Sequence, residues 1–113
     1  MTPASTDFFL QDDAQPWQTV GEGIRRKVLT YEASLMLVKV SFEAGSVGAL
    51  HQHVHTQMSY VESGVFEVVV GDEQRALKAG DTFYAPSNVW HGVFCQEAGV
   101  LLDVFTPMRE DFV

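Results

Sequence analysis

Gly45-Ser-Val-Gly-Ala-Leu-His51-Gln-His53-Val-His55-Thr-Gln57-Met-Ser-Tyr-Val-Glu-Ser-Gly64 carries three of the chain's four histidines, spaced at alternate positions. In an extended strand, residues i and i+2 point to one face, so His51 and His53 present two imidazoles side by side. Imidazole suits zinc, nickel, iron and copper, and an amide or carboxylate oxygen can complete the shell. Gln57 offers such an oxygen, and His91 lies where a neighbouring strand can deliver it. The plainer reading is a set of surface loop histidines. A loop has no need of this spacing, so a metal site at His51, His53, Gln57 and His91 is the expectation. His55 shares their nominal parity, but a straight strand from His51 to Gln57 spans more than ~20 Å, too far for one ion. The chain must therefore bend after His53, which leaves His55 outside the ligand set.

The spacing Gly45, five residues, His51, one, His53, three, Gln57, six, Gly64 resembles the first motif of the cupins, in which the position of Gln57 is usually Glu. Gly80, Pro86 and His91 match the second motif, with Asn88 in place of its second Gly and Cys95 in place of its final Asn. The closing stretch, Leu102-Asp103-Val104-Phe105-Thr106-Pro107-Met108-Arg109-Glu110-Asp111-Phe112, resembles the tail of the KdgF-type cupins, which linearise unsaturated uronates from pectin and alginate breakdown. The resemblance runs from about Gly21 onward. It implies an all-β, single-domain fold, an antiparallel double-sheet jelly-roll barrel over residues 21–113, with residues 1–20 as an arm. It also implies one divalent metal ion (nickel, zinc, iron or manganese), reaction roles for Asp103, Phe105 and Arg109, substrate contacts from Arg109 and Phe105, and a homodimer.

Bulk properties agree with a small domain. The 113 residues are enough for one hydrophobic core, and near-zero mean hydropathy with 46% hydrophobic residues fits a globular chain. No apolar run approaches the ~18 residues of a membrane span. The N-terminal residues do not read as a secretory signal, and Cys95 is the lone cysteine, so a cytoplasmic location is expected. A net charge of −8 repels nucleic acid and anionic membrane. An anionic small substrate therefore needs local positive charge, from a metal or a placed arginine.

Short β-prone runs with frequent turn signals and no helical period argue for the same antiparallel architecture. Strands are expected at 17–20, 24–30, 34–42, 58–62, 65–70, 75–77, 82–85, 90–95 and 100–106, with turns at Ser63-Gly64 and Gln96–Gly99. Alternation puts Leu101, Asp103 and Phe105 on one face, and His91, Val93 and Cys95 together on another. An ionised Asp103 on a buried face costs several kcal/mol unless partnered, so it is either exposed or functional. Arg26 alternates away from Arg25 and Lys27, leaving both a solvated face and a cavity open to it. Phe8-Phe9-Leu10 suits packing on the barrel or on a partner's sheet.

The resemblance implies ring opening and ketonisation of a 4,5-unsaturated uronate, a net isomerisation. Asp103 would then move the proton, Arg109 would grip the carboxylate and Phe105 would pack on the sugar ring. A neutral Gln57 leaves the ion's positive charge undiminished, which favours an anionic substrate. Two other classes use the same fold and histidines: a dioxygenase acting on a small acid, and a non-catalytic uronate- or metal-binding protein.

Overall fold

The computed structural model describes residues 4–113. Eight antiparallel strands follow in order: β1 (Gln18–Gly21), β2 (Ile24–Glu32), β3 (Leu35–Phe42), β4 (Val47–His51), β5 (Thr56–Val70), β6 (Glu73–Lys78), β7 (Thr82–Ala85) and β8 (His91–Thr106). Short 3-10 turns stand at Asp12–Ala14 and Glu110–Phe112. Val, Ile and aromatic residues fill these strands because branched side chains suit a pleated, half-buried surface. β3 buries Met36, Val38, Val40 and Phe42 in strict alternation.

Two long strands make the double-sheet architecture. The first half of β5 and the second half of β8 join β3, β2, β1 and β7 in one layer. Their other halves join β4 and β6 in the second. The expected turns at Ser63-Gly64 and Gln96–Gly99 are instead bends within continuous strands. β5 slips register beside Val61, Ser63 and Val65 while its pairing with β8 continues on both sides. The signal was genuine, because Gly64 has φ +85° and a Cβ there would meet the Glu97 carbonyl oxygen at 2.6 Å. Only a glycine lets the two bends stack this closely. They fold the paired ribbon over, and Phe42 of one layer meets Phe66 of the other edge to face at 5.2 Å.

The strand carrying the first histidine also stops earlier than expected. β4 ends at His51, and His53 lies in the connection to β5. Asn88 replaces the motif glycine without disturbing the loop: it adopts φ +61°, a conformation that Asn tolerates better than most residues. Thr6 and Asp12, which precede β1, reach β2 and β3. Thr6 exchanges backbone and hydroxyl hydrogen bonds with Tyr31 at 3.0 and 3.1 Å, and Asp12 pairs with Lys39 at 3.2 Å. Phe8 and Phe9 remain almost wholly exposed.

Candidate metal centre and active site

The two layers meet at one end of the barrel, and the histidines gather there. His51 of β4 stands directly opposite His91, the first residue of β8. Gln57 comes from the other layer, one residue into β5, where it pairs with Phe105. His53 is supplied by the connecting loop. Ring nitrogens of His51, His53 and His91 all lie within 4.8 Å of one another, and a small inward shift brings them to the ~3.4 Å that separates two nitrogens on one tetrahedral ion. His55 stays outside this cluster.

Hydrogen bonds decide which nitrogen faces the centre. Nδ1 of His51 lies 2.9 Å from the Ala49 carbonyl, Nδ1 of His53 2.9 Å from the His55 carbonyl, and Nδ1 of His91 2.9 Å from the Val89 carbonyl. A carbonyl only accepts, so each Nδ1 carries the proton and each neutral ring presents an Nε2 lone pair. Gln57 Oε1 lies 3.1 Å from Nε2 of His53 and 3.2 Å from Nε2 of His91. Acceptors therefore converge with no proton between them, an arrangement that a cation stabilises. Burial, as the main cause, lowers the pKa of His53 and His91, which keeps them neutral and ready to ligate.

The same network reaches Asp103. The Gln57 amide nitrogen donates to Ser59 Oγ at 3.0 Å, and that hydroxyl donates to Asp103 Oδ1 at 2.6 Å. This fixes the amide with its oxygen toward the histidines. Ser59 and Asp103 are cross-strand partners on the inner face. Burial lifts the Asp103 carboxyl to about 6, against the opposing effects of the Ser59 hydrogen bond and the charge of Arg109. Ser59 was absent from the sequence expectations. Its signal was available, two residues after Gln57 on a strand and therefore on the same face, but a serine is too common there to stand out.

Phe105 packs beside the centre, its ring 5.8 Å from His53 and 6.5 Å from His55. The guanidinium of Arg109 lies 5.1 Å from the Phe105 ring centroid and bonds Asp111 through Nε and Nη2 at 3.1 and 3.0 Å. The 3-10 turn at Glu110–Phe112 thus brings Phe112 against Phe105, which itself borders the histidines. His55 serves His53 through its carbonyl, while its own Nδ1 is buried without a hydrogen-bond partner in the protein. Cys95 lies apart from the cluster, fully buried, with its thiol donating to the Glu97 carbonyl at 3.1 Å. Burial pushes that thiol's pKa up, so it stays protonated.

Similarity to known proteins follows this arrangement. Residues 38–105 match the family model described as Cupin domain. The chain is 47% identical over 104 residues to the pectin degradation protein KdgF of Dickeya dadantii, covering 90% of this chain and 94% of that one. It superposes on KdgF from a Halomonas species with a TM-score of 0.91 at 40% identity, covering 96% of this chain and all of the other. An RmlC-like cupin from Shewanella frigidimarina gives 0.96 at 39% identity, covering 98% and 100%. With the histidines and the glutamine inside the matched domain, and with KdgF relatives matched over nine-tenths of the chain or more, the chain belongs to the cupins and, among them, to the KdgF type.

Proposed function

We propose that this protein opens the ring of 4,5-unsaturated uronate monosaccharides, of the kind released by pectin or alginate lyases, and ketonises the product. The observation that carries the reading is the chain Gln57–Ser59–Asp103, which ties a buried carboxyl of pKa about 6 to the metal-ligating cluster. A group titrating near neutrality is suited to take a proton and return it. The pectin-degradation name of the Dickeya relative points to the same substrate class.

The substrate is a cyclic hemiacetal whose ring oxygen is attached to the enol carbon C5. Asp103 takes the proton of the anomeric hydroxyl. As the C1 carbonyl forms, the bond from C1 to the ring oxygen breaks and leaves an enolate across C5 and C4. Protonation of C4 by the Asp103 acid yields the 5-keto acid, so nothing is added or lost overall. His51, His53, His91 and Gln57 would hold one divalent cation, which supplies Lewis-acid stabilisation for negative charge developing on oxygen. Arg109 binds the substrate carboxylate through its planar fork, releasing Asp111 to do so. Phe105 covers the sugar ring and excludes water. The test is loss of the ultraviolet absorbance of the conjugated double bond in 4,5-unsaturated galacturonate. Acceleration over the spontaneous rate that disappears on chelation supports the reading; a folded, metal-loaded sample without acceleration on this sugar or its alginate-derived counterpart overturns it.

We further infer that the protein works as a homodimer in the cytoplasm. Leu37, Val104, Met58 and Tyr84 form one cross-strand row over β3, β8, β5 and β7, all on the outer face. Met58, Tyr84 and Val104 are 58%, 53% and 38% exposed. Phe8 borders the same face, in a groove with Leu35 and Val104. An apolar stripe continuous with exposed aromatics on an arm suits a second copy of the chain, which can cover stripe and arm reciprocally about a two-fold axis.

A further inference from the structure

Arg26 is an interior-facing cation for which the proposed chemistry above has no role. It pairs across β2 and β3 with Val40, whose side chain is in the core, while its neighbours Arg25 and Lys27 lie against Trp17 on the other face, where Lys27 is buried and bonded to Asp12. Its guanidinium lies 3.8 Å from the centroid of the Phe112 ring, and that of Arg109 lies 4.3 Å from the same centroid. Phe112 in turn stands edge-on to Phe105 at 5.7 Å. Two guanidinium groups thus share one aromatic ring, which is linked to the histidine cluster through Phe105.

Their circumstances differ. Arg109 is neutralised by Asp111 through two parallel bonds. Arg26 has no carboxylate within ion-pair distance among the described residues, and its buried Nε has no hydrogen-bond partner in the protein. Burial and the charge of Arg109 both disfavour its protonated form, with only Asp111 opposing them. An uncompensated, partly desolvated cation with an unmet donor is unfavourable for the fold alone. The Phe112 face offsets part of this cost through its quadrupole but gives the Nε donor no acceptor. An incoming anion supplies what the protein leaves out.

We propose that Arg26 is a substrate-binding residue that forms, with Arg109 around Phe112, a two-guanidinium site for the carboxylate of the sugar acid. The assignment rests on the uronate reading of the site. A carboxylate has about four acceptor positions on two oxygens, more than one fork fills, so a second guanidinium can bind without displacing the first. Arg26 then discriminates uronates from neutral sugars of the same shape.

The test uses the full-length, metal-loaded protein with Arg26→Met, which keeps the packing on Phe112, and Arg26→Lys, which keeps the charge without the fork. Turnover is measured on 4,5-unsaturated galacturonate, and equilibrium binding on galacturonate, which has no double bond to react. Loss of a charge-assisted carboxylate contact should raise KM and weaken galacturonate binding by about tenfold or more in Arg26→Met, with kcat within about threefold and Arg26→Lys between the two. Melting temperature and bound metal should match the wild type. KM and galacturonate affinity within about twofold of wild type overturn the assignment, as does a fall in kcat at constant KM, which marks an effect passed through Phe112. Wild-type protein that binds galacturonate without turning over the unsaturated sugar defeats the catalytic reading alone, and the binding arm still decides Arg26. Wild-type protein that does not bind galacturonate overturns the assignment as well.

Discussion

Gln57 sets the electrostatics of the site because its amide has two ends with opposite duties. The oxygen faces His53 and His91, and the nitrogen donates to Ser59. Gln57→Glu keeps an oxygen toward the histidines but turns a second acceptor toward Ser59, whose single proton can then serve only one of the two carboxylates. Metal should remain bound, while turnover falls by at least about tenfold and the pH profile moves upward, since neighbouring carboxylates raise one another's pKa. Steady-state rates against pH with parallel metal analysis check this. Asp103→Asn should lose about 10²–10⁴ in rate with metal retained, and near-normal turnover would remove Asp103 from the mechanism. The wild-type rate should rise as Asp103 ionises, with a midpoint no higher than about 6 because a bound cation favours the carboxylate. For stability the sign is opposite. The folded carboxyl, raised to about 6 from 3.8, holds its proton where the unfolded chain has lost it, so its contribution grows as pH falls from about 6 toward 3.8. Urea titrations of the metal-free protein across this range should show a shallower dependence with Asp103→Asn at low pH, once the opposing histidines are held common to both. Those histidines act on the metal too. Their folded pKa values lie below 6.5, so protons compete for Nε2 only as pH drops beneath that value, and metal should be released reversibly on further acidification.

β5 and β8 place Gln57, Ser59, Asp103, Phe105 and His91, and their shared bend is the element on which the site depends. Below it they carry Gln57, Ser59, Asp103 and Phe105, and beyond it β8 begins with His91. Gly64→Ala puts a Cβ against the carbonyls of Glu97 and Ala98 at 2.6 and 2.7 Å and strains a left-handed backbone. The expected cost exceeds about 2 kcal/mol in denaturant unfolding, with weaker metal binding because the layers no longer meet in register. Gly64 and Gly99 carry the local signature of turns, yet they lie in bends within continuous strands. Local chemistry signals that the chain leaves the regular strand, but a hairpin and a bend differ in what pairs afterwards. That pairing is a long-range property: Ser63 meets Val100 on one side of the bend, and Phe66 meets Cys95 on the other.

At the scale of the molecule, one end of the barrel is polar and convergent while one outer face is apolar and flat. The row Leu37–Val104–Met58–Tyr84 was not legible in sequence, because each residue is an ordinary outward strand position and only register aligns them. Met58→Glu places like charges across the two-fold and should convert a dimer to a monomer in sedimentation equilibrium while leaving metal binding intact. A wild-type protein that sediments as a monomer, or a variant that remains dimeric, would exclude this face as the interface.

The sequence by itself determined the class of fold, the face of Asp103 and Phe105, and the three histidines that come together as a candidate metal centre, since each follows from local rules. Alternation along a strand separates inner from outer side chains, and imidazoles at fixed spacing have few other uses. The early end of β4, the Ser59 link, the inward turn of Arg26 onto Phe112 and the closure of the tail over the site were decided only in the tertiary structure. These depend on which strands pair and where the ribbon bends. Such contacts join residues as far apart as Arg26 and Phe112, and no local pattern of residues encodes them.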